Sequence, residues 1–207
     1  MNLANKLTIT RLIMVPFFMF ALLYPESTQN AKVILIGRIA ALLIFIAACI
    51  TDLYDGRIAR KRGIVTNFGK LMDPLVDKIM ILTAFIGFVQ LRIFPAWIII
   101  LILSREFLIT GLRTIAATQN RTIGASKWGK HKLIWQVILI ITTLSFEAIR
   151  RFFEFIERWE DPLVLEYNFD IWYDIILRVL LAVAFTITML SGFYYLMENI
   201  DVIRTED

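Results

Sequence analysis

Six apolar stretches, roughly 8–24, 31–58, 73–91, 95–117, 131–149 and 171–197, are separated by short charged connections. No other feature limits the fold as strongly. Stretches of this length belong in lipid, and a backbone in lipid must satisfy its own N–H and C=O groups. The 207 residues are 58% hydrophobic with a mean hydropathy of +0.70, more apolar than soluble domains tolerate. The expected fold is therefore all-α, a polytopic membrane protein with six transmembrane helices. Positions 1–207 read as a single domain, because the sequence shows no internal repeat, low-complexity tract or linker. Pro16 interrupts the first stretch and leaves its start open. The second and sixth stretches exceed a membrane's thickness and are expected to tilt or extend into water. No small-residue cleavage site follows Met1 and no Arg- and Ser-rich transit sequence is evident, so neither a signal peptide nor organelle import is expected. Cys49 stands alone, which excludes an internal disulfide.

Lysine and arginine near the stretch ends set the expected orientation. The second connection carries Arg57, Arg60, Lys61, Arg62 and Lys70, and the fourth carries Arg121, Lys127, Lys130 and Lys132. The alternate connections are poor in cations: 25–32 has only Lys32 and 90–95 only Arg92, while 147–174 sets Arg150, Arg151 and Arg158 among many acids. Both basic connections, and both termini, are thus expected in the cytosol, with the protein in the inner (cytoplasmic) membrane of a bacterial cell. Most of the net charge of +4 then faces anionic headgroups. Membrane lipids, and not nucleic acid, are the expected partners. Residues 150–162 read as a short amphipathic helix on the outer surface.

At the boundary of the second and third stretches stands Asp52-x2-Asp55-Gly56-x2-Ala59-Arg60-x8-Gly69-x3-Asp73-x3-Asp77. On helices, aspartates three or four residues apart share a face. Asp52 lies about 30 Å of helix beyond Lys32, and Asp77 one turn past Asp73, so both pairs fall at one level near the cytosolic boundary. Four carboxylates at close range repel unless cations neutralise them. An all-oxygen cage suits magnesium or manganese and suits zinc poorly. Two metals roughly 4 Å apart could clamp both oxygens of an in-line phosphoryl displacement. Gly56, Ala59 and Gly69 permit close approach, and Arg60 is a natural phosphate partner. A polar head at this depth with acyl chains in lipid implies a phospholipid-type substrate.

At every defining position this motif resembles that of the CDP-alcohol phosphatidyltransferases. The resemblance extends to Asn5-x2-Thr8-x2-Arg11 with Pro16-Phe17-Phe18, to Arg105-Glu106 and Leu112-Arg113, and to Gly129-Lys130-His131-Lys132 with Gln136. These blocks are similar to the members that use glycerol 3-phosphate as acceptor, although Leu133 stands where that pattern commonly has threonine. The resemblance implies six spans, a homodimer and two divalent cations, magnesium or manganese. It implies Asp52, Asp55, Asp73 and Asp77 as metal ligands, with Asp77 also the general base. Gly56, Ala59, Arg60 and Gly69 would line the CDP site. The implied reaction is attack of the acceptor hydroxyl on the lipid-side phosphorus of CDP-diacylglycerol, with loss of CMP.

Among the remaining charges, Arg113 lies near the carboxylate level and is the better candidate for the acceptor phosphate, with Lys130, Lys132 and Arg105 as further cations. For Lys130 or Lys132 alone, a solvated membrane anchor is the ordinary alternative. Arg105 and Glu106 fall near mid-bilayer, where charges are costly and either functional or paired; an ion pair to another helix is as good a reading as substrate contact. Arg38 and Arg178 are expected to snorkel or pair near the outer boundary. His131 reads as a surface group. The competing readings are another acceptor within the same family (phosphatidylglycerol, inositol phosphate or serine), a membrane prenyltransferase, or a cation transporter with the carboxylates as its ion site. The last predicts broken helices at mid-bilayer, whereas these acids sit at one boundary.

Overall fold

All regular structure among the described residues is helical, as self-satisfaction of the backbone in lipid requires. The structure, a computed structural model, describes the backbone of residues 3–28, 30–62, 67–118, 127–156 and 165–199. It describes the side chains of residues 9–28, 30–52, 78–116, 129, 131–156 and 169–199. Six α-helices appear among them: α1 (Leu3–Leu23), α2 (Ala31–Arg62), α3 (Asn67–Gln90), α4 (Ala96–Thr118), α5 (Lys127–Ile156) and α6 (Leu165–Glu198). A 3-10 turn over Tyr24–Ser27, with Pro25 in its first positions, carries α1 toward α2. Asn30 opens α2 by accepting a bond from the Lys32 amide through its side chain, 3.1 Å, while its carbonyl accepts from Ile34.

Among the described residues four segments are both long and apolar enough to cross a membrane: Ile9–Ser27, Ala31–Asp52, His131–Ile156 and Phe169–Glu198. α4 is 23 residues long but holds Arg105, Glu106 and Arg113, and the apolar part of α3 that is described, Lys78–Gln90, is shorter. α2 packs on α1 and α5; α1 also packs on α3, α5 on α6, and α6 on α4. Phe18 and Leu22 of α1, Phe45 of α2, Phe85 and Phe88 of α3, and Leu139 of α5 interlock at the centre. At Gly87 the Leu22 side chain fills the place a Cβ would take, which is how α1 and α3 come close. Large apolar side chains such as Phe17, Leu43, Ile100, Phe107 and Phe193 point outward, as lipid-facing positions should.

Two expectations change. Pro16 does not set the start of the first helix but lies inside α1, which begins at Leu3; neighbouring helices make such a proline tolerable in lipid. Residues 150–156 are not a separate surface helix but the last turns of α5. Arg150 and Arg151 are both ion-paired there, with Glu154 and Asp170 (3.8 and 3.6 Å) and with Glu154 and Glu26 (2.8 and 3.3 Å), so the helix has no electrostatic reason to break. Residues 157–162 of that expected helix lie outside the described residues. Arg38 and Arg178 are both paired, but only Arg178 is exposed. Arg38, 1% exposed, is enclosed by Glu26, Glu147 and the Leu22 carbonyl. Cys49 is a free thiol and His131 is exposed.

Candidate active site

α2 carries Asp52, Asp55, Gly56, Ala59 and Arg60 along its last turns, and α3 carries Gly69, Asp73 and Asp77 in its first half. Asp52 is the one motif side chain among the described residues; those of the other seven positions, and of Lys130, lie outside them. Arg11 of α1 donates to Asp52 Oδ1 at 2.7 Å. The arginine is buried, yet the aspartate side chain remains 42% exposed. One carboxylate oxygen is thereby fixed by a charge-assisted bond while the other keeps its lone pairs. That is a hard-oxygen donor of the kind magnesium or manganese takes, so the described part of the motif fits a divalent cation. Among the described residues no group of three ligating side chains assembles, three of the four aspartates being outside that set.

A second constellation joins α3, α4, α5 and α6. Glu106 on α4 accepts a charged hydrogen bond from Lys132 of α5 and lies 3.5 Å from Arg105 and 3.9 Å from Lys78. Lys78 also donates to Thr110. Arg105 reaches Ser191 of α6 at 2.6 Å. It can do so because Gly192 leaves space: a Cβ there would lie 2.8 Å from the arginine Cγ. Arg113 donates through Nε to the Tyr195 hydroxyl at 3.1 Å and sits 5.3 Å above that ring, a cation–π contact. Tyr195 is itself buried with Ile109 and Leu112, so its position is set by packing between α4 and α6.

Lys78, Arg105 and Lys132 therefore share a single acid, Glu106, an excess of positive charge of which Lys78 directly follows Asp77 in sequence, while Arg113, on the same helix as Glu106, is held by Tyr195. Lys132 is not a solvated anchor: it is 5% exposed and its ammonium is turned into the bundle. Arg105 and Glu106 do reach other helices, as the ion-pair reading expects. Sequence reasoning passed over Lys78, Tyr195 and the Arg11–Asp52 pair as site features. Lys78 carried a usable signal, being a lysine inside an apolar stretch immediately after Asp77. Tyr195 carried none, since an interfacial tyrosine is ordinary.

The family model described as CDP-alcohol phosphatidyltransferase matches residues 1–165. The chain belongs to that family. Divalent-metal chemistry is general among CDP-alcohol phosphatidyltransferases, which agrees with the carboxylate motif, and membership removes the prenyltransferase and transporter readings. This CDP-alcohol phosphatidyltransferase is 34% identical to the CDP-diacylglycerol--glycerol-3-phosphate 3-phosphatidyltransferase of Bacillus subtilis (strain 168), over 100% of this chain and 99% of the relative. It is 31% identical to the protein of the same name from Rickettsia felis, over 94% of this chain and 93% of the relative. It is 44% identical to a probable phosphatidylglycerophosphate synthase of Mycobacterium tuberculosis (strain ATCC 25618 / H37Rv), over 67% of this chain and 64% of the relative.

Proposed function

We infer that this enzyme transfers the phosphatidyl group of CDP-diacylglycerol to glycerol 3-phosphate, giving phosphatidylglycerophosphate and CMP. The observation that carries the acceptor is the cationic cluster that begins at Lys78: three cations sharing one carboxylate, with Arg113 further along α4, suit a small dianion. The names of the relatives from Bacillus subtilis and Rickettsia felis agree. Phosphatidylglycerol, inositol phosphate and serine are the acceptors this reading rejects.

In the mechanism we propose, Asp52, Asp55, Asp73 and Asp77 hold two divalent cations. When bound, these supply charge neutralisation at the phosphoryl oxygens and acidify the acceptor hydroxyl. Arg11 keeps Asp52 in its ligating orientation. Gly56, Ala59 and Gly69 allow the CDP moiety to approach the helices, and Arg60 binds its diphosphate. Arg113, together with Lys130, Lys132 and Arg105, holds the acceptor phosphate. Asp77 takes the hydroxyl proton as the acceptor oxygen forms its bond to the lipid-side phosphorus. The bond from that phosphorus to the CMP oxygen breaks, and CMP carries the electron pair away.

The same proposal includes six spans, with α3 and α4 crossing as well, a cytosol-facing site in the inner membrane, and a homodimer. Support for the orientation is the charge asymmetry of the connections. With Cys49 replaced, single cysteines at 65 and 125 should be labelled only from the cytosol, and at 28 and 165 only from outside; opposite sides for 65 and 125 would refute the span count. Purified protein given CDP-diacylglycerol and each acceptor in turn should release CMP with glycerol 3-phosphate. Equal release with serine or inositol phosphate would sink the acceptor assignment. Mass measurement in detergent checks the dimer.

A further inference from the structure

Thr188, Ser191 and Tyr195 of α6 are 0, 0 and 2% exposed and stand three and then four residues apart, so they share one buried face of the helix. A hydroxyl in a membrane helix can be satisfied by its own helix, as Thr51 and Thr143 are by the carbonyls of Ala47 and Leu139. The three on α6 accept from side chains of other helices. Thr188 receives Gln136 of α5 at 3.5 Å, Ser191 receives Arg105 at 2.6 Å and Tyr195 receives Arg113 at 3.1 Å. Two arginines of α4 are thus seated on one face of α6.

Arg105, 10% exposed in its side chain, takes its orientation from that face. Its Nη1 lies 3.5 Å from the Glu106 oxygen that Lys132 also bonds, at the limit of a hydrogen bond. Its Nε is buried without a hydrogen-bond partner among the described residues. Nη2 on the Ser191 hydroxyl is therefore the one short bond of this guanidinium among the described residues. Because the fork is planar and rigid, tying Nη2 to α6 keeps Nη1 on the side of Glu106 and Lys132. Gly192 sets the path of the stem: a Cβ there would come 2.8 Å from Cγ and 3.1 Å from Nε. Any side chain at 192 would push the arginine off this path.

We propose that Ser191 and Gly192 are positioning residues of the acceptor subsite: Gly192 admits the Arg105 stem and Ser191 pins Nη2, so that Nη1 is presented to the acceptor phosphate. This rests on Arg105 being one of the cations that hold that phosphate. A guanidinium without its pin has more rotamer freedom to lose on binding, so the acceptor binds more weakly while donor contacts made by α2 and α3 persist.

The test is steady-state CMP release by the full-length enzyme, with each substrate varied in turn. The variants are Ser191→Ala, Gly192→Ala, Arg105→Ala and the two doubles that contain Arg105→Ala. An unfolded fraction lowers the rate but not KM, and alanine at 192 is otherwise the better helix former. Ser191→Ala and Gly192→Ala should each raise the KM for glycerol 3-phosphate about fivefold, equivalent to about 1 kcal/mol or one hydrogen bond. The KM for CDP-diacylglycerol should stay in place. In the Arg105→Ala background neither change should raise the acceptor KM further, because no guanidinium remains to pin and no stem to meet the new Cβ. Equal fold-changes with and without Arg105 would overturn the proposal and make this face of α6 a packing surface. Unchanged acceptor KM in both single variants, beside an impaired Arg105→Ala, would overturn it and leave the acceptor reading standing. Unchanged acceptor KM in Arg105→Ala would remove Arg105 from the acceptor site, and the proposal with it.

Discussion

Arg11 on α1 and Asp52 on α2 form an ion pair of 2.7 Å in which the cation is buried and the anion is not. The asymmetry has a use. A buried guanidinium in a membrane bundle is costly unless its partner is well placed, so the packing that encloses Arg11 also fixes the rotamer of Asp52. The exposed remainder of the carboxylate is then left open and already oriented. α1 thus contributes to the motif without supplying any of its aspartates.

If Arg11 orients a metal ligand, its loss should show first in metal dependence. Arg11→Ala should raise the magnesium or manganese concentration for half-maximal CMP release by about tenfold or more, the usual scale for groups that position ligands. Arg11→Lys should recover part of this, because lysine keeps the charge and loses the fork. A metal titration of CMP release checks both. An unchanged midpoint in Arg11→Ala would make Arg11 a packing cation only.

The carboxylates themselves should be far less forgiving. Chelator should abolish CMP release, and magnesium or manganese should restore it. Asp52→Asn and Asp73→Asn should each remove most activity while leaving the helical circular-dichroism signal intact, since amide oxygens ligate these ions more weakly than carboxylates. Full turnover in chelator would refute the metal assignment.

Glu106 is where stability and site meet. It is 23% exposed in its side chain and is the acid shared by Lys132, Arg105 and Lys78. Its removal leaves buried cations facing one another, a change that costs roughly 3–5 kcal/mol for a fully buried pair and less here because Glu106 is partly open. Glu106→Ala should lower the melting temperature in detergent clearly more than Lys132→Met does. The double variant should be more stable than Glu106→Ala alone, because one uncompensated cation is gone. Strict additivity of the two changes would mean that the pair is not coupled.

How much of this was legible in the sequence depends on which force placed each residue. The helices were readable because lipid leaves the backbone no alternative, and α2 and α4 start where the apolar stretches put them, within a residue. α3 instead begins at Asn67, six residues before its stretch, and so takes in Gly69. The motif was readable because its fixed gaps express helical periodicity. The end of α5 was not: Arg150 and Arg151 look like a surface break until Glu26, from a distant turn, is seen to pair with Arg151. Lys132 likewise looked solvated because its partner, Glu106, lies on another helix. Tyr195 beneath Arg113 depends on how α4 lies against α6, which no local pattern encodes.

That last contact gives the sharpest prediction about the acceptor. Arg113 is held by two features of Tyr195, its hydroxyl at 3.1 Å and its ring face at 5.3 Å. If Arg113 binds the phosphate of glycerol 3-phosphate, Arg113→Ala should raise the acceptor KM at least about tenfold, roughly 1.4 kcal/mol, with little change in the KM for CDP-diacylglycerol. Arg60→Ala should do the reverse. Tyr195→Phe removes the hydrogen bond and keeps the cation–π contact, so it should raise the acceptor KM by less than Arg113→Ala; Tyr195→Ala removes both and should come closer to the arginine variant. Steady-state kinetics with each substrate varied in turn separates the cases. A Tyr195→Ala enzyme whose acceptor KM is unchanged, beside an impaired Arg113→Ala, would show that the arginine leaves Tyr195 when it binds phosphate. Unchanged acceptor kinetics in Arg113→Ala would remove it from the acceptor site and leave Lys130, Lys132 and Arg105 to hold the dianion.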